Sequence, residues 1–342
     1  MNTSAASSHP SDAKVEGHRI LACLDRSTFS EVCVPYAVAL AKTFGSAITL
    51  VHVMYSHSEH AGLRTHDALS WEIARQEAQG YLERLGQEAS AALGRPVDVR
   101  LEQGHPAERI VDLAHEIGAD LTVLGSHGEG GMTSWTLGTT VQQLLVVART
   151  SVLIAHSAST PRGPVAPRHI LVPLDGSVRS ESVLPAAALI ARVNGANMTL
   201  VHVVQEPIAT ALLDAADDME VAQNLANRLE LAARRYLERI QERLGHKGTL
   251  VNTVVIRHAN ERQGLLEISR KEHADLIVLS AHGAACDPAR SFGGVTTYLL
   301  THSPVPLLVF QDLPEAELLL VRDVDANPGP PLRRAGSPME SA

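Results

Sequence analysis

Hydrophobic residues along this chain fall into short dense runs separated by longer stretches in which they recur every three or four positions. The runs are 20–24, 48–53, 97–101, 121–125 and 152–155, followed by 170–174, 198–204, 250–255, 276–280 and 307–310. Short runs rich in Val, Ile and Leu, spaced by helix-length segments, predict β-strands joined by crossover helices and therefore parallel sheets. Ser30 and Ser180 read as helix N-caps. Pro35 and Pro185 then fall near the first turn, where a missing N–H costs least, and Gly45 and Gly195 stand where a glycine would stop the same helices.

The pattern occurs twice. At a shift of 150 positions, Ile20-Leu21, Leu24-Asp25, Ser27, Ser30 and Glu31 recur as Ile170-Leu171, Leu174-Asp175, Ser177, Ser180 and Glu181. The run Thr49-Leu50-Val51-His52-Val53 returns whole as Thr199-Leu200-Val201-His202-Val203. Further on the shift becomes 155: Ala119-Asp120-Leu121 matches Ala274-Asp275-Leu276, and Gly138 matches Gly293. Such an ordered set is the mark of a duplication. Five parallel strands per copy with right-handed crossovers give two tandem doubly wound α/β domains, at 17–158 and 169–312. A Pro/Gly/Arg linker, 159–168, joins them. The Ser/Ala-rich start, 1–16, and the extension 313–342 read as disordered or largely so.

Composition narrows the function. Of 342 residues, 45% are hydrophobic and only 3% aromatic, which suits a core of aliphatic side chains under buried parallel strands. A formal charge of −9 argues against a broad nucleic-acid surface, because phosphate neutralisation dominates that affinity. No apolar run is long enough to span a membrane, and the first residues lack the apolar core of a signal peptide. Cys23, Cys33 and Cys286 are too few for a disulfide framework. A reduced, cytoplasmic setting is the expectation.

In an open α/β sheet, ligands bind beyond the carboxyl ends of the strands, where strand order reverses. Asp25 and Asp175 close the first strand of each copy. A glycine-rich segment, Gly125-Ser-His-Gly128-Glu-Gly130-Gly131, follows the fourth strand, and Gly138-Thr139-Thr140 stands where the next helix should begin. Glycines let the backbone approach an anion and adopt positive φ, and a helix start adds N–H donors and a positive dipole end. The bland alternatives are a tight βα turn for the glycines and a cap or turn for Asp25.

The spacing Gly125-x2-Gly128-x9-Gly138-Thr139 resembles the G-x2-G-x9-G-[S/T] pattern of the ATP-binding branch of the universal stress protein family. Cys23-Leu24-Asp25-Arg26-Ser27, the Leu-Val-His-Val runs and Ala119-Asp120-Leu121 extend the likeness to nearly all of both copies. The resemblance implies a Rossmann-like fold of the adenine nucleotide alpha hydrolase type. It also implies an adenine nucleotide, ATP with Mg²⁺ or Mn²⁺, held by Asp25, Val53, Gly125, Gly128, Gly138, Thr139 and Thr140. The corresponding positions of the second copy are Asp175, Val203, Gly283 and Gly293. That copy departs from the pattern, with Ser280 for the first glycine and Gly294 for the hydroxyl residue. The first copy is therefore expected to be the better site and the second to be weaker, empty or chiefly structural, with Pro288 stiffening its loop and Arg290 as a partly compensating phosphate contact. The resemblance further implies a pseudo-dimer in which strands 152–155 and 307–310 meet across a pseudo-twofold. An unidentified protein partner and a further homodimer are left open.

His57, His60 and His66 match no tight metal-ligand spacing and read as a solvated loop. His52 and His202 read as satisfied sheet histidines and Cys23 as a buried inert thiol; Cys286, in the exposed loop of the second copy, is the only candidate redox handle, and the bland reading is preferred for it too. Function divides three ways: a nucleotide-responsive regulator with at most slow ATP hydrolysis, an ATP-pyrophosphatase or adenylyl-transfer enzyme, and a scaffold that binds no nucleotide. The enzyme reading lacks its motifs, because Leu24-Asp25-Arg26-Ser27 supplies neither S-G-G-x-D-S nor H-x-G-H, and there is no Walker lysine.

Overall fold

A computed structural model describes residues 18–55, 68–126, 137–156, 165–206, 216–245, 249–287 and 289–312. The expected linker 159–168 is described only from residue 165, and 1–16, the histidines at 57, 60 and 66, and the extension from 313 onward lie outside these residues.

The first copy runs β1 (Arg19–Leu24), α1 (Cys33–Phe44), β2 (Ala47–Met54), α2 (Ala68–Leu93), β3 (Asp98–Gln103), α3 (Pro106–Glu116), β4 (Leu121–Gly125), α4 (Thr139–Val147) and β5 (Ser151–Ala155). The second runs β6 (His169–Pro173), the short α5 (Val178–Glu181), α6 (Leu184–Asn194), β7 (Asn197–Gln205), α7 (Ala216–Gly245), β8 (Val251–His258), α8 (Glu261–Lys271), β9 (Leu276–Ser280), α9 (Gly294–His302) and β10 (Leu307–Phe310). Each hydrophobic run of the sequence is a strand.

The ten strands form one sheet in the order β3-β2-β1-β4-β5-β10-β9-β6-β7-β8. Pairing is parallel within each copy and antiparallel only where β5 meets β10, with Val152, Leu153 and Ile154 opposite Val309, Leu308 and Leu307. All six of these side chains are fully buried. Because the copies pair antiparallel, the carboxyl ends of their strands lie on opposite edges of the sheet. In each copy the order reverses beside the first strand, between β1 and β4 and between β6 and β9.

The strand period of two divides the core between two faces. Ile20, Ala22 and Leu24 point to a layer built by α1, α2, α6 and α7, where Ala37, Leu82, Ala187 and Leu237 pack. Leu21 and Cys23 point the other way, to Ile110, Leu144, Leu265 and Leu299 of α3, α4, α8 and α9. Gly45 and Gly195 end α1 and α6 at φ 72° and 64°, a left-handed conformation that glycine adopts without a steric cost.

The caps differ from the expectation. Ser177, not Ser180, caps α5: its side chain accepts from the Ser180 N–H. In the first copy Ser27 does the same for Ser30, and α1 begins only at Cys33, after a further turn. Ser30 and Ser180 face backwards instead, and their Oγ atoms accept the N–H of Asp25 and Asp175. A serine three residues after another gives one local sequence signal for two roles, and only the path of the chain separates them.

Candidate functional site

The first strand of each copy ends in the same turn. Asp25 Oδ1 accepts the Ser27 N–H at 3.0 Å, and Asp175 Oδ1 accepts the Ser177 N–H at 2.9 Å. The residue between is left-handed in both, Arg26 at φ 69° and Gly176 at φ 87°. The bland reading of Asp25 as a turn residue is thus true of one carboxylate oxygen. His52 and His202 place Nδ1 at 2.9 and 2.7 Å from the carbonyls of Leu24 and Leu174, so both tie the second strand to the end of the first. Val53 is buried against the α3 layer, and Val203 packs partly buried on the same face.

In the first copy Gly125 closes β4 and pairs with Ala155. The Ser126 N–H donates to the Ala155 carbonyl and the Gly138 N–H to the Ser126 carbonyl, so the intervening segment leaves and returns at one point. Gly128 belongs to that segment and lies outside the described residues. Gly138 is the N-cap of α4 and has no side chain of its own to cap it, and Thr139 and Thr140 form the first turn. A helix start of this kind presents N–H donors and a partial positive charge to whatever stands before it.

The second copy repeats this frame, with Ala281 donating to Phe310 and Gly293 to Ala281. None of Gly283, Gly293 and Gly294 adopts positive φ, and Gly283 is the one of the three that is needed for space. A Cβ on Gly283 would stand 2.2 Å from Asp175 Oδ2, and one on Gly294 would stand 2.9 Å from Arg262 Nη2. Ser280 fits in place of the first glycine because its backbone is ordinary strand. Its hydroxyl donates to the His282 carbonyl at 2.6 Å.

Charges of the protein itself occupy this second cleft. Asp175 Oδ2 accepts the Ala284 N–H at 2.7 Å, a loop amide of the kind expected to face a ligand. Burial pushes the Asp175 carboxyl upward, but the hydrogen bonds from Ser177, Ser180 and Ala284 outweigh it and hold the group below its ordinary value. Arg262, from the first turn of α8, lies against Gly294 at the start of α9 and over the Tyr298 ring at 5.9 Å. Arg290, expected at a phosphate, is turned to Asp287 at 3.4 Å with three-quarters of its side chain exposed. At the shift of 155, Ala107 stands in the first copy where Arg262 stands here.

Sequence reasoning missed Arg262, Arg179 and Asp312, which come from distant segments and carry no local signature. Asp312 lies just past β10, with Oδ2 2.8 Å from Arg179 Nη1 and Oδ1 2.9 Å from His282 Nδ1. Burial drives the Cys23 thiol far above its usual range, as an inert core residue requires, and Cys286 is half-buried. Among the described residues no group of three or more His, Cys, Asp or Glu is arranged to hold a metal, and no helix is long and apolar enough to cross a membrane.

Comparison with known proteins agrees with the duplication. A family model described as the universal stress protein family matches residues 17–156 and again 167–311. A universal stress protein of Staphylococcus aureus is 29% identical over 143 residues, 42% of this chain and 86% of that protein. Among solved structures, a universal stress protein from Archaeoglobus fulgidus superposes with a TM-score of 0.61 at 18% identity, covering 86% of this chain and 98% of that one. A protein of unknown function from Pseudomonas aeruginosa gives 0.60 at 14% identity, covering 91% and 97%. At these identities the two structures speak for the fold alone.

Proposed function

The chain belongs to the universal stress protein family in both of its halves, and from that premise we propose that it is an ATP-responsive regulator in a stress response, binding nucleotide chiefly in its first copy. The observation that carries this reading is the start of α4. The glycine pattern of the first copy is complete, and its last glycine opens a helix without a capping side chain of its own, followed by Thr139 and Thr140.

Asp25 and Val53 would flank the adenine. Gly125, Gly128, Gly138, Thr139 and Thr140 would hold ribose and phosphates, with Mg²⁺ or Mn²⁺ neutralising the phosphate charge. The donor set suits a polyanion, being backbone N–H groups, two hydroxyls and a helix dipole. Asp175, Val203, Gly283 and Gly293 make a poorer site, because Asp175 already holds the Ala284 amide and Gly294 lacks the hydroxyl. A missing hydroxyl contact weakens binding by roughly 0.5–1.5 kcal/mol. Among the described residues the candidate cleft has no side chain placed as a general base, and the proposed activity is binding with at most slow hydrolysis. Action in the cytoplasm and through a protein partner belongs to the same proposal.

The test is to denature purified protein, assay the supernatant for adenine nucleotide, and repeat with Gly128→Trp. The expected result is close to one nucleotide per chain, lost in the variant. Two equal sites would contradict the asymmetry, no nucleotide under any condition would favour the scaffold, and rapid turnover would favour an enzyme.

A further inference from the structure

The His282 ring is fully buried, with an acceptor on each nitrogen. Nδ1 lies 2.9 Å from Asp312 Oδ1, and Nε2 lies 2.9 Å from the Arg290 carbonyl oxygen. A neutral imidazole carries one N–H and one lone pair, so it can donate to only one of these two. The carbonyl has no proton to give. The carboxylate has none while ionised, and Arg179 at 2.8 Å, together with His282 itself, holds it ionised against its burial. Both nitrogens therefore donate, and the ring is an imidazolium.

This cation is a strut inside the loop. The His282 backbone N–H also donates to Asp312 Oδ1 at 3.2 Å, which fixes the near arm of the loop to the end of β10. The Arg290 carbonyl belongs to the far arm, eight residues on. Ser291, next in the chain, rests on the first copy: its Oγ donates to the Val146 carbonyl in the last turn of α4 at 2.9 Å. Its own carbonyl accepts from Gln311 Nε2 at 3.2 Å, and the Gln311 N–H reaches Ser151 Oγ at the start of β5, also at 3.2 Å. We propose that the 281–293 loop is a proton-gated latch on the seam between the copies, held closed by the His282 imidazolium and released from α4 when the ring loses its proton.

Among the described residues the charges acting on the ring are Asp312 beyond β10 and Arg179 of α5, while the Arg290 guanidinium is turned to Asp287. Burial pushes the ring toward the neutral form and Arg179 adds to that push. The hydrogen bonds to Asp312 and to the Arg290 carbonyl outweigh both, and the ring titrates above its ordinary 6.5. A raised value means the latch is fully held below 6.5 and is lost as pH rises through the raised value. The first copy has no such device in its sequence. It carries His127, but Phe29 stands where Arg179 does and Ser157 where Asp312 does.

The test follows the His282 ring by carbon-13 NMR across pH in the full-length chain. The resonance is assigned among 17 histidines by its loss in His282→Gln. Hydrogen exchange of the 281–293 amides, corrected for intrinsic base catalysis, is read in parallel. The ring should titrate above 6.5, and loop opening should share its midpoint, growing about tenfold for each unit of elevation. Asp312→Asn should move both midpoints to lower pH by about one unit or more, and Arg179→Gln should move both to higher pH. A ring that titrates at or below 6.5 in the unaltered chain would overturn the proposal. So would loop exchange that ignores the ring's midpoint, or two variants that shift it in the same direction. Both midpoints are read on the unaltered chain, and His282→Gln serves only to assign the resonance.

Discussion

Gly283→Ala is the sharpest probe of how the second cleft is closed. The added Cβ would stand 2.2 Å from Asp175 Oδ2 and 3.3 Å from its Cγ, inside any allowed contact. The backbone at 283 is not left-handed, so alanine is acceptable there apart from this collision. The carboxylate cannot simply rotate away, because Oδ1 is fixed by the Ser177 N–H at 2.9 Å. The contact that must yield is the 2.7 Å bond from the Ala284 N–H to Oδ2. A hydrogen bond to a charged group contributes about 1.5–3 kcal/mol, and that is the expected loss. Because a two-copy chain need not unfold in one step, native-state hydrogen exchange of the Ala284 amide and of β9 is the suitable assay. The same substitution in an Asp175→Ala background should cost less than about 1 kcal/mol, since the added methyl then meets nothing. Additive effects in this cycle, with no coupling between 283 and 175, would refute the reasoning.

Three further outcomes follow from the same geometry. Leu308→Ala, at a fully buried seam position opposite Leu153, should destabilise by about 2–5 kcal/mol and raise exchange in β5 as well as β10; a response confined to β10 would count against the continuous sheet. Asp175 and Asp312 both lie below the ordinary 3.8, since their hydrogen bonds outweigh burial. The stability they contribute is present above pH 3.8 and lost as pH falls through the depressed values. Urea midpoints taken down the acid limb should therefore fall less steeply in Asp175→Asn. Arg26→Gly should be neutral to stabilising by up to about 1 kcal/mol in thermal unfolding, because it relieves a left-handed arginine at the expense of an exposed 3.2 Å pair with Glu77.

Nearly all of the architecture was written locally. Runs such as 48–53 and 276–280 were legible because period and composition act within a few residues, and Gly45 and Gly195 because a left-handed stop has few substitutes. The reading of Ser30 and Ser180 as caps failed because Ser27 and Ser177 offer the same hydroxyl one turn earlier. The second cleft was hidden for a different reason. Asp175 meets Ala284 across 109 positions, and Arg179 meets Asp312 across 133, so no window of sequence contains both partners. The room that Gly283 leaves for Asp175 was hidden for the same reason, since the two residues lie far apart in the sequence.

The two clefts open on opposite edges of the sheet, yet one element touches both. α4 begins at Thr139, just after Gly138 at the proposed phosphate end of the first copy, and ends at Val147, one residue after the carbonyl that Ser291 of the second loop holds. Nine helical residues span about 13 Å and move nearly as a rigid body. If nucleotide orders the start of α4 and the His282 latch orders its end, the two events share a free energy, and linkage requires the influence to run both ways. Saturating ATP should then shift the His282 titration midpoint, and alkaline release of the latch should change ATP affinity by the matching factor. An unchanged midpoint in ATP-loaded protein would make the clefts independent, leaving α4 as packing between them and nothing more.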